Sequence, residues 1–235
     1  IFKSLISLPT VSARAETVGK DIKDLKIISC HLGNGSSITA IEGGKSIDTT
    51  MGFTPLDGVL MGTRTGSVDP SAVTFVAQKH GFTPNEMSDY MNKKSGFLGL
   101  SGVSSDNREV SAAAAHGDKR ACLVNEMLAY QIKKDIGAYT AAMNGVDAII
   151  FTGGIGENDP PTRENSCSDL DFFGIKIDKE LNKTVRGKKC KISTPDSKVE
   201  VWVIPTNEEL LIARDTLALT VSYTHLRAHE TAANL

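Results

Sequence analysis

Residues Leu25-Lys26-Ile27-Ile28-Ser29-Cys30-His31-Leu32-Gly33-Asn34-Gly35-Ser36-Ser37 decide how this chain is read. An apolar run ends abruptly in a Gly-Asn-Gly turn carrying hydroxyls, and a second run, Ile38-Thr39-Ala40-Ile41, begins at once. Run, turn and run predict a β-hairpin. The turn presents backbone N–H groups and small polar side chains. Glycine lets a backbone approach an anion closely, so such a turn suits phosphate oxygens. An Asn-Gly hairpin with no ligand has the same look, and the turn gains meaning from three further glycine-marked loops.

Outward from the hairpin the pattern is regular. Arg14 to Lys23 predicts a short helix leading in, and Leu25 to Thr50 reads as two or three consecutive strands with Gly43-Gly44 as a second turn. Met51 to Pro70 is dense in Gly, Thr and Pro and reads as loop. Pro70 then opens a helix running to about His80, because a first-turn proline lacks only an N–H that would be unpaired anyway. Pro84 to Lys94 predicts another short helix, ended by Ser95-Gly96. In Asp118 to Met143, the strongest helical stretch, Val124, Leu128, Ile132 and Ile136 recur every four residues and share one face. Tyr139 and Met143 continue that stripe, which is read as core packing.

Asp147 to Phe151 is nearly all apolar, as in a strand buried on both faces, and runs directly into Thr152-Gly153-Gly154-Ile155-Gly156-Glu157-Asn158. Val199 to Ile204 predicts a strand closed by Pro205, and Glu208 to Leu219 a terminal helix. Strands first, then helices alternating with apolar strands, predict an α/β fold with a mixed sheet.

Composition narrows the function. The chain has 235 residues, enough for one large domain or two small ones with a sizeable core. A net charge of -2 points away from nucleic acid and anionic membranes as partners. Cys30, Cys122, Cys167 and Cys190 are scattered with no CxxC pair, which reads as reduced thiols of a cytoplasmic protein. No apolar stretch has membrane-spanning length, and no signal peptide is visible. The chain begins at Ile1 and is expected to be a fragment.

Four loops share one character: His31–Ser37, Met61–Pro70 (MGTRTGSVDP), Ser101–Arg108 (SGVSSDNR) and Thr152–Asn158 (TGGIGEN). Each is rich in Gly with Ser, Thr, Asn or Asp, at a strand end or helix start. In open α/β sheets ligands bind where such loops converge. Glycine backbones contact phosphates, carboxylates hold a metal or a ribose, and arginine neutralises charge in transfer. Arg64, between Thr63 and Thr65, is placed as a clamp on a transferring phosphoryl group or as a surface ion pair. Asp106 and Arg108 bracket a ribose or base, or Asp106 caps the following helix. His31 at a strand end reads first as structural. Glu208, after Pro205-Thr206-Asn207, complements a helix N-terminus or serves as a magnesium ligand, directly or through water. The GxxxxGK[ST] loop, the protein-kinase motifs, the GxGxxG fingerprint, the GxSxG elbow and HExxH are all missing, which disfavours P-loop and hydrolase readings.

HLGNGSS, TTMGFTPLDGVLMGTRTGSVDP, SGVSSDNRE, IIFTGGIGEN and PTNEELLIARDT, in this order, resemble the acetate kinase (acetokinase) family over roughly Val11 to Thr220. The resemblance implies a ribonuclease-H-like mixed sheet flanked by helices, of the actin, sugar-kinase and heat-shock-chaperone superfamily. It implies reversible transfer of the ATP γ-phosphoryl group to acetate, giving acetyl phosphate and ADP, with Mg2+, in a cytoplasmic homodimer. His31, Leu32, Gly33, Asn34 and Gly35 would contact the ATP phosphates. Asp106, Asn107 and Arg108, with Gly154, Ile155, Gly156, Glu157 and Asn158, would hold the adenosine. Arg64 would stabilise the transition state, Pro55 would line the acetate methyl pocket and Glu208 would help bind magnesium.

The family's amino-terminal domain, with its catalytic aspartate and a histidine segment, has no counterpart here, and residues 1–10 form an unmatched leader. Residues 11–220 are therefore expected to be the nucleotide-binding domain, inactive alone, with helix 208–220 packing on the missing half. Residues 221–235 fit nothing in the family and are expected to be an artefactual tail, so His225 and His229 are not taken as metal ligands. A propionate or butyrate kinase of the family and a non-catalytic nucleotide-binding module are the alternatives.

Overall fold

The computed structural model of the chain describes residues 21–206 and 216–217. The chain divides into two units, one ending at Pro205 and one beginning at Thr206. In the second unit Thr216 and Leu217 are helical. The expected helix from Arg14 falls largely outside the described residues; within them Ile22–Asp24 forms a single 3-10 turn capped by the Asp21 carboxylate. The terminal helix from Glu208, the leader and the tail also lie outside the described residues, apart from Thr216 and Leu217.

The first unit is built on six strands ordered β3-β2-β1-β4-β6-β5. They are β1 (Lys26–Leu32), β2 (Ser36–Glu42), β3 (Lys45–Thr49), β4 (Ala148–Thr152), β5 (Cys190–Lys191) and β6 (Glu200–Val203). β1 and β2 form the antiparallel hairpin read from sequence, pairing from Lys26 with Glu42 to Leu32 with Ser36. β2 turns into β3 through Gly43 and Gly44, whose φ values of 58° and 73° suit a two-residue hairpin loop and favour glycine at both positions. β1 runs parallel to β4, and β4 parallel to β6. The sheet is therefore mixed, as expected.

β4 lies at the centre, and each of its five residues is buried. On one face Ile28, Cys30, Leu32, Ile149, Phe151, Val201 and Val203 join the main core. On the other, Ile27, Ile41, Ala148 and Ile150 form a smaller cluster with Leu25 and Ile204. Alternating strand residues thus supply both cores, which is why the β4 sequence is apolar without a break.

Helices α1 (Pro70–His80), α2 (Pro84–Lys93), α3 (Gly96–Ser101), α4 (Asn107–Ala115) and α5 (Lys119–Ala142) fill the span between β3 and β4. α5 buries Val124, Leu128, Ile132, Ile136 and Tyr139, the stripe read from the four-residue spacing, and the Asp118 carboxylate caps its N-terminus through the Ala121 amide. α6 (Gly153–Asn158) and α7 (Pro160–Cys167) follow β4, and α8 (Lys179–Thr184) precedes β5. α6 corrects the sequence reading, which left TGGIGEN as a loop. Gly153 enters with φ 77°, and a Cβ there would sit 2.7 Å from the Leu32 carbonyl oxygen. The Glu157 carboxylate turns back to accept the Gly153 N–H at 2.9 Å, so the short helix supplies its own cap.

Candidate functional site

His31 on β1 registers with Thr152 on β4, so two parallel strands end side by side. The hairpin turn Gly33-Asn34-Gly35 leaves one of them and α6 leaves the other. The carboxyl ends of parallel strands are where ligands bind in open α/β sheets. The turn is partly closed on itself: the Gly33 N–H donates to the Gly35 carbonyl at 3.1 Å and to the Ser36 hydroxyl at 3.2 Å. That amide, expected to be open to an anion, is used internally.

The loop carrying Arg64 is fixed from behind by α3. Amides of Ser95, Phe97 and Leu98 donate to the carbonyls of Thr63, Met61 and Gly62 at 2.9–3.0 Å. The unpaired first amides of a helix thereby hold the arginine loop. Gly96, at φ 62°, permits the approach, since a Cβ there would overlap the Met61 carbonyl. On the other side the Gln131 side chain of α5 accepts the Leu60 N–H at 2.9 Å. Arg64 Nη1 donates to the Pro55 carbonyl at 3.2 Å and reaches Met61 Sδ at 3.5 Å. The same nitrogen would lie 3.5 Å from a Cβ at Gly35. Arg64 and Pro55 are thus in contact, and Arg64 adjoins the hairpin turn.

A third connection falls at Gly62, where a Cβ would sit 2.6 Å from Asn34 Oδ1 and 2.8 Å from the Ser105 carbonyl. The turn, the arginine loop and the Ser101–Arg108 segment meet at this one residue. Asp106 caps α4 by accepting the Arg108 N–H at 2.8 Å, which realises the capping alternative. Its carboxylate also takes the exposed Arg108 guanidinium, at 3.1 Å from Nε and 2.5 Å from Nη2. These Arg108 hydrogen bonds pull the Asp106 pKa down to about 2.

Between these segments lies a cleft of about 640 Å³. Gly33 and Asn34 of the turn, Ser105 to Arg108 before and at the start of α4, and Gly154, Ile155 and Asn158 of α6 line it, with Phe97, Ser111 and Asp159. At Gly154 a Cβ would meet nothing within 4 Å, so this wall is bare backbone facing open space. Asn107 is buried and donates its amide N–H to Asp159 at 3.0 Å. Asp159 also accepts the Thr162 hydroxyl at 2.7 Å. These bonds fix the orientation of the Asn107 amide. Among the described residues its Oδ1 has no hydrogen-bond partner, which leaves a buried acceptor beside the cleft.

The residues singled out in the sequence thus divide. Gly33, Asn34, Asp106, Asn107, Arg108, Gly154, Ile155 and Asn158 line the cleft. His31, Leu32, Gly35, Gly156 and Glu157 support it from β1, the turn and α6 without lining it. Arg64 and Pro55 are in contact with each other and do not line the cleft, and Glu208 lies outside the described residues. Phe97, Ser105, Ser111 and Asp159 were not singled out. Ser105 and Asp159 adjoin residues that were, whereas Phe97 and Ser111 carry no signal that separates them from ordinary helix residues. Among the described residues no three His, Cys, Asp or Glu side chains come together as a metal site, and no helix is long and apolar enough to cross a membrane.

Comparison with known proteins identifies relatives of this chain. The acetokinase family model matches residues 7–214. The acetate kinase of Thermoanaerobacter pseudethanolicus is 60% identical over 208 residues, covering 88% of this chain and 52% of the relative. That of Carboxydothermus hydrogenoformans is 57% identical with the same coverage. The chain therefore spans about half the length of the curated relatives it matches. The crystal structure of Porphyromonas gingivalis acetate kinase superposes with a TM-score of 0.87 at 48% identity, covering 90% of this chain and 53% of that one. A propionate kinase from Francisella tularensis superposes with a TM-score of 0.81 at 41% identity, covering 88% and 52%. The mixed sheet with its flanking helices is accordingly the ribonuclease-H-like fold of the actin, sugar-kinase and heat-shock-chaperone class. With the family model matching most of its length, this chain belongs to the acetokinase family.

Proposed function

We propose that the whole protein transfers the γ-phosphoryl group of ATP to acetate, reversibly, and that residues 11–220 form its nucleotide-binding domain. The observation that carries this reading is the cleft, where three segments distant in sequence bring small, backbone-rich walls to the ends of parallel strands. Asp106 to Arg108 and α6 take the adenosine, and His31 to Gly35 the phosphates. The buried Asn107 Oδ1 suits a ligand that bears N–H donors.

Phosphoryl transfer depends mainly on positioning and charge stabilisation. Arg64 supplies the charge, on a loop that α3 and α5 hold in place, and Pro55 beside it borders the acetate methyl group. Magnesium keeps its waters and takes few carboxylates when phosphates supply other ligands. We assign Glu208 that part; bound magnesium neutralises phosphate charge. A cytoplasmic homodimer completes the reading. The propionate kinase among the structural neighbours supports a second one, in which the acceptor is a longer carboxylate.

The test is calorimetric titration of Mg-ADP into the chain, trimmed at Thr220, with acetyl phosphate formation assayed on the same sample. Saturable binding without turnover is the expected result. Turnover would overturn the assignment of the chain as a partial enzyme. Absence of binding by a sample with native-like far-UV circular dichroism would overturn the cleft assignment.

A further inference from the structure

Arg163 on α7 is completely buried, yet it does not line the cleft. Its guanidinium reaches four neutral oxygens. Nε donates to Asn182 Oδ1 at 2.8 Å and Nη1 to the Gly156 carbonyl at 2.9 Å. Nη2 donates to the carbonyls of Asn182 at 3.1 Å and Val185 at 2.9 Å. None of these partners is a carboxylate. Burial, and the nearby Arg186 charge after it, lowers the Arg163 pKa to about 10, which leaves it charged at neutral pH.

Burying a cation is costly, and apolar residues of similar volume often fill such a place at equal or greater stability. What an apolar residue cannot supply is the planar fork of donors. Three of its bonds go to the C-terminal end of α8 and its cap. The fourth goes to Gly156, in the helix that carries the cleft residues Gly154, Ile155 and Asn158. Gly156 lies hard on the strand ends, where a Cβ would be 3.3 Å from the Phe151 carbonyl carbon and 3.5 Å from the Cys30 carbonyl oxygen. A second tether runs from the same segment, the Gly187 N–H donating to the Glu157 carbonyl at 3.3 Å. Asn182 closes the arrangement by donating from Nδ2 to the carbonyl of Pro160, the first residue of α7, at 3.0 Å.

We infer that Arg163 is a positioning residue for the nucleotide: through the Gly156 carbonyl it holds α6 at the height that shapes the adenosine wall of the cleft. This rests on the nucleotide reading of the cleft. It assigns Arg163 an effect on ligand affinity that is separable from its effect on stability.

Three variants of the full chain separate the two, each characterised by Mg-ADP calorimetry well below its melting temperature and by thermal denaturation. Arg163→Gln removes the reach to Gly156, and its affinity should fall by about tenfold or more. Arg163→Lys keeps a cation that can meet one carbonyl. It should recover affinity to within about threefold of the parent while still melting earlier. Asn182→Ala removes the Oδ1 acceptor and the Nδ2 donor on the α8 side but leaves the Gly156 bond and the two backbone carbonyls, so it should melt earlier with affinity within about threefold of the parent.

A folded Arg163→Gln chain that binds as tightly as the parent overturns the inference. So does an Asn182→Ala chain that loses as much affinity as either arginine variant at equal loss of melting temperature. If Arg163→Gln does not fold, the Arg163→Lys and Asn182→Ala affinities decide by the same criteria. Failure of the parent chain itself to bind Mg-ADP would instead overturn the nucleotide reading beneath.

Discussion

At the scale of the single residue, Asp135 shows a charge held against its surroundings. It sits on α5 and lines a second cavity of about 260 Å³ with Thr50, Gly58, Ser67, Gln131, Lys134 and Tyr139. Burial raises its pKa from 3.8 to about 6, against the opposing pull of Lys134. Between those values the folded chain binds more protons than the unfolded one, so stability falls as pH rises through that window. Above pH 6 the whole penalty is present. Asp135→Asn should therefore stabilise the chain at pH 7 by on the order of 2 kcal/mol. It should also flatten the stability profile between pH 4 and 6. Urea denaturation of both chains at pH 4, 5, 6 and 7 checks this. Profiles that stay parallel over the range would show that Asp135 is not the group responsible.

At the scale of the element, α5 is the clearest case of sequence becoming structure. Its stripe is buried, with Leu128 only 1% exposed, whereas Leu123 off the stripe is 52% exposed. Leu128→Ala should cost about 2–5 kcal/mol, combining lost transfer energy with a cavity. Leu123→Ala should stay within about 0.5 kcal/mol of the parent. Thermal melts of the pair measure the contrast, and equal losses would refute the packing assigned to the helix. The long periodic elements, α5, β1, β2 and β4, were legible because their burial repeats at the period of the backbone.

The six-residue helices α3 and α6 were not legible. GFLGLS at α3 and GGIGEN at α6 are too brief to show a period and too rich in glycine to suggest a helix. Isolated, they would not form, because nucleation is costly and few bonds follow. They exist because tertiary partners use their ends: the arginine loop takes the first amides of α3, and Arg163 takes the Gly156 carbonyl of α6. The site was legible to the same degree. Glycine-marked segments were visible, but their meeting at Gly62 and the contact of Arg64 with Pro55 follow from the fold.

At the scale of the whole molecule, binding and turnover separate along the chain. The cleft is built from residues of the first unit, from Gly33 to Asp159. Nucleotide binding therefore requires little beyond this chain under the proposed function. Under the same proposal transfer requires more, because the chain spans about half the length of its curated relatives and the acceptor would meet the γ-phosphoryl group near Arg64. Arg64 does not line the cleft, and its guanidinium lies against the Pro55 carbonyl instead. Under the proposed function its charge serves the transferring group rather than bound nucleotide. Arg64→Ala should accordingly leave Mg-ADP affinity of this chain within about threefold of the parent. In the full-length protein the same change should lower kcat by about a thousandfold or more, since arginine clamps contribute on that order to phosphoryl transfer. Calorimetry on the chain and steady-state kinetics on the full-length protein give the two numbers. A large loss of affinity with kcat preserved would move Arg64 from the reacting group to the nucleotide, and with it the boundary between what this half of the protein binds and what the whole protein does.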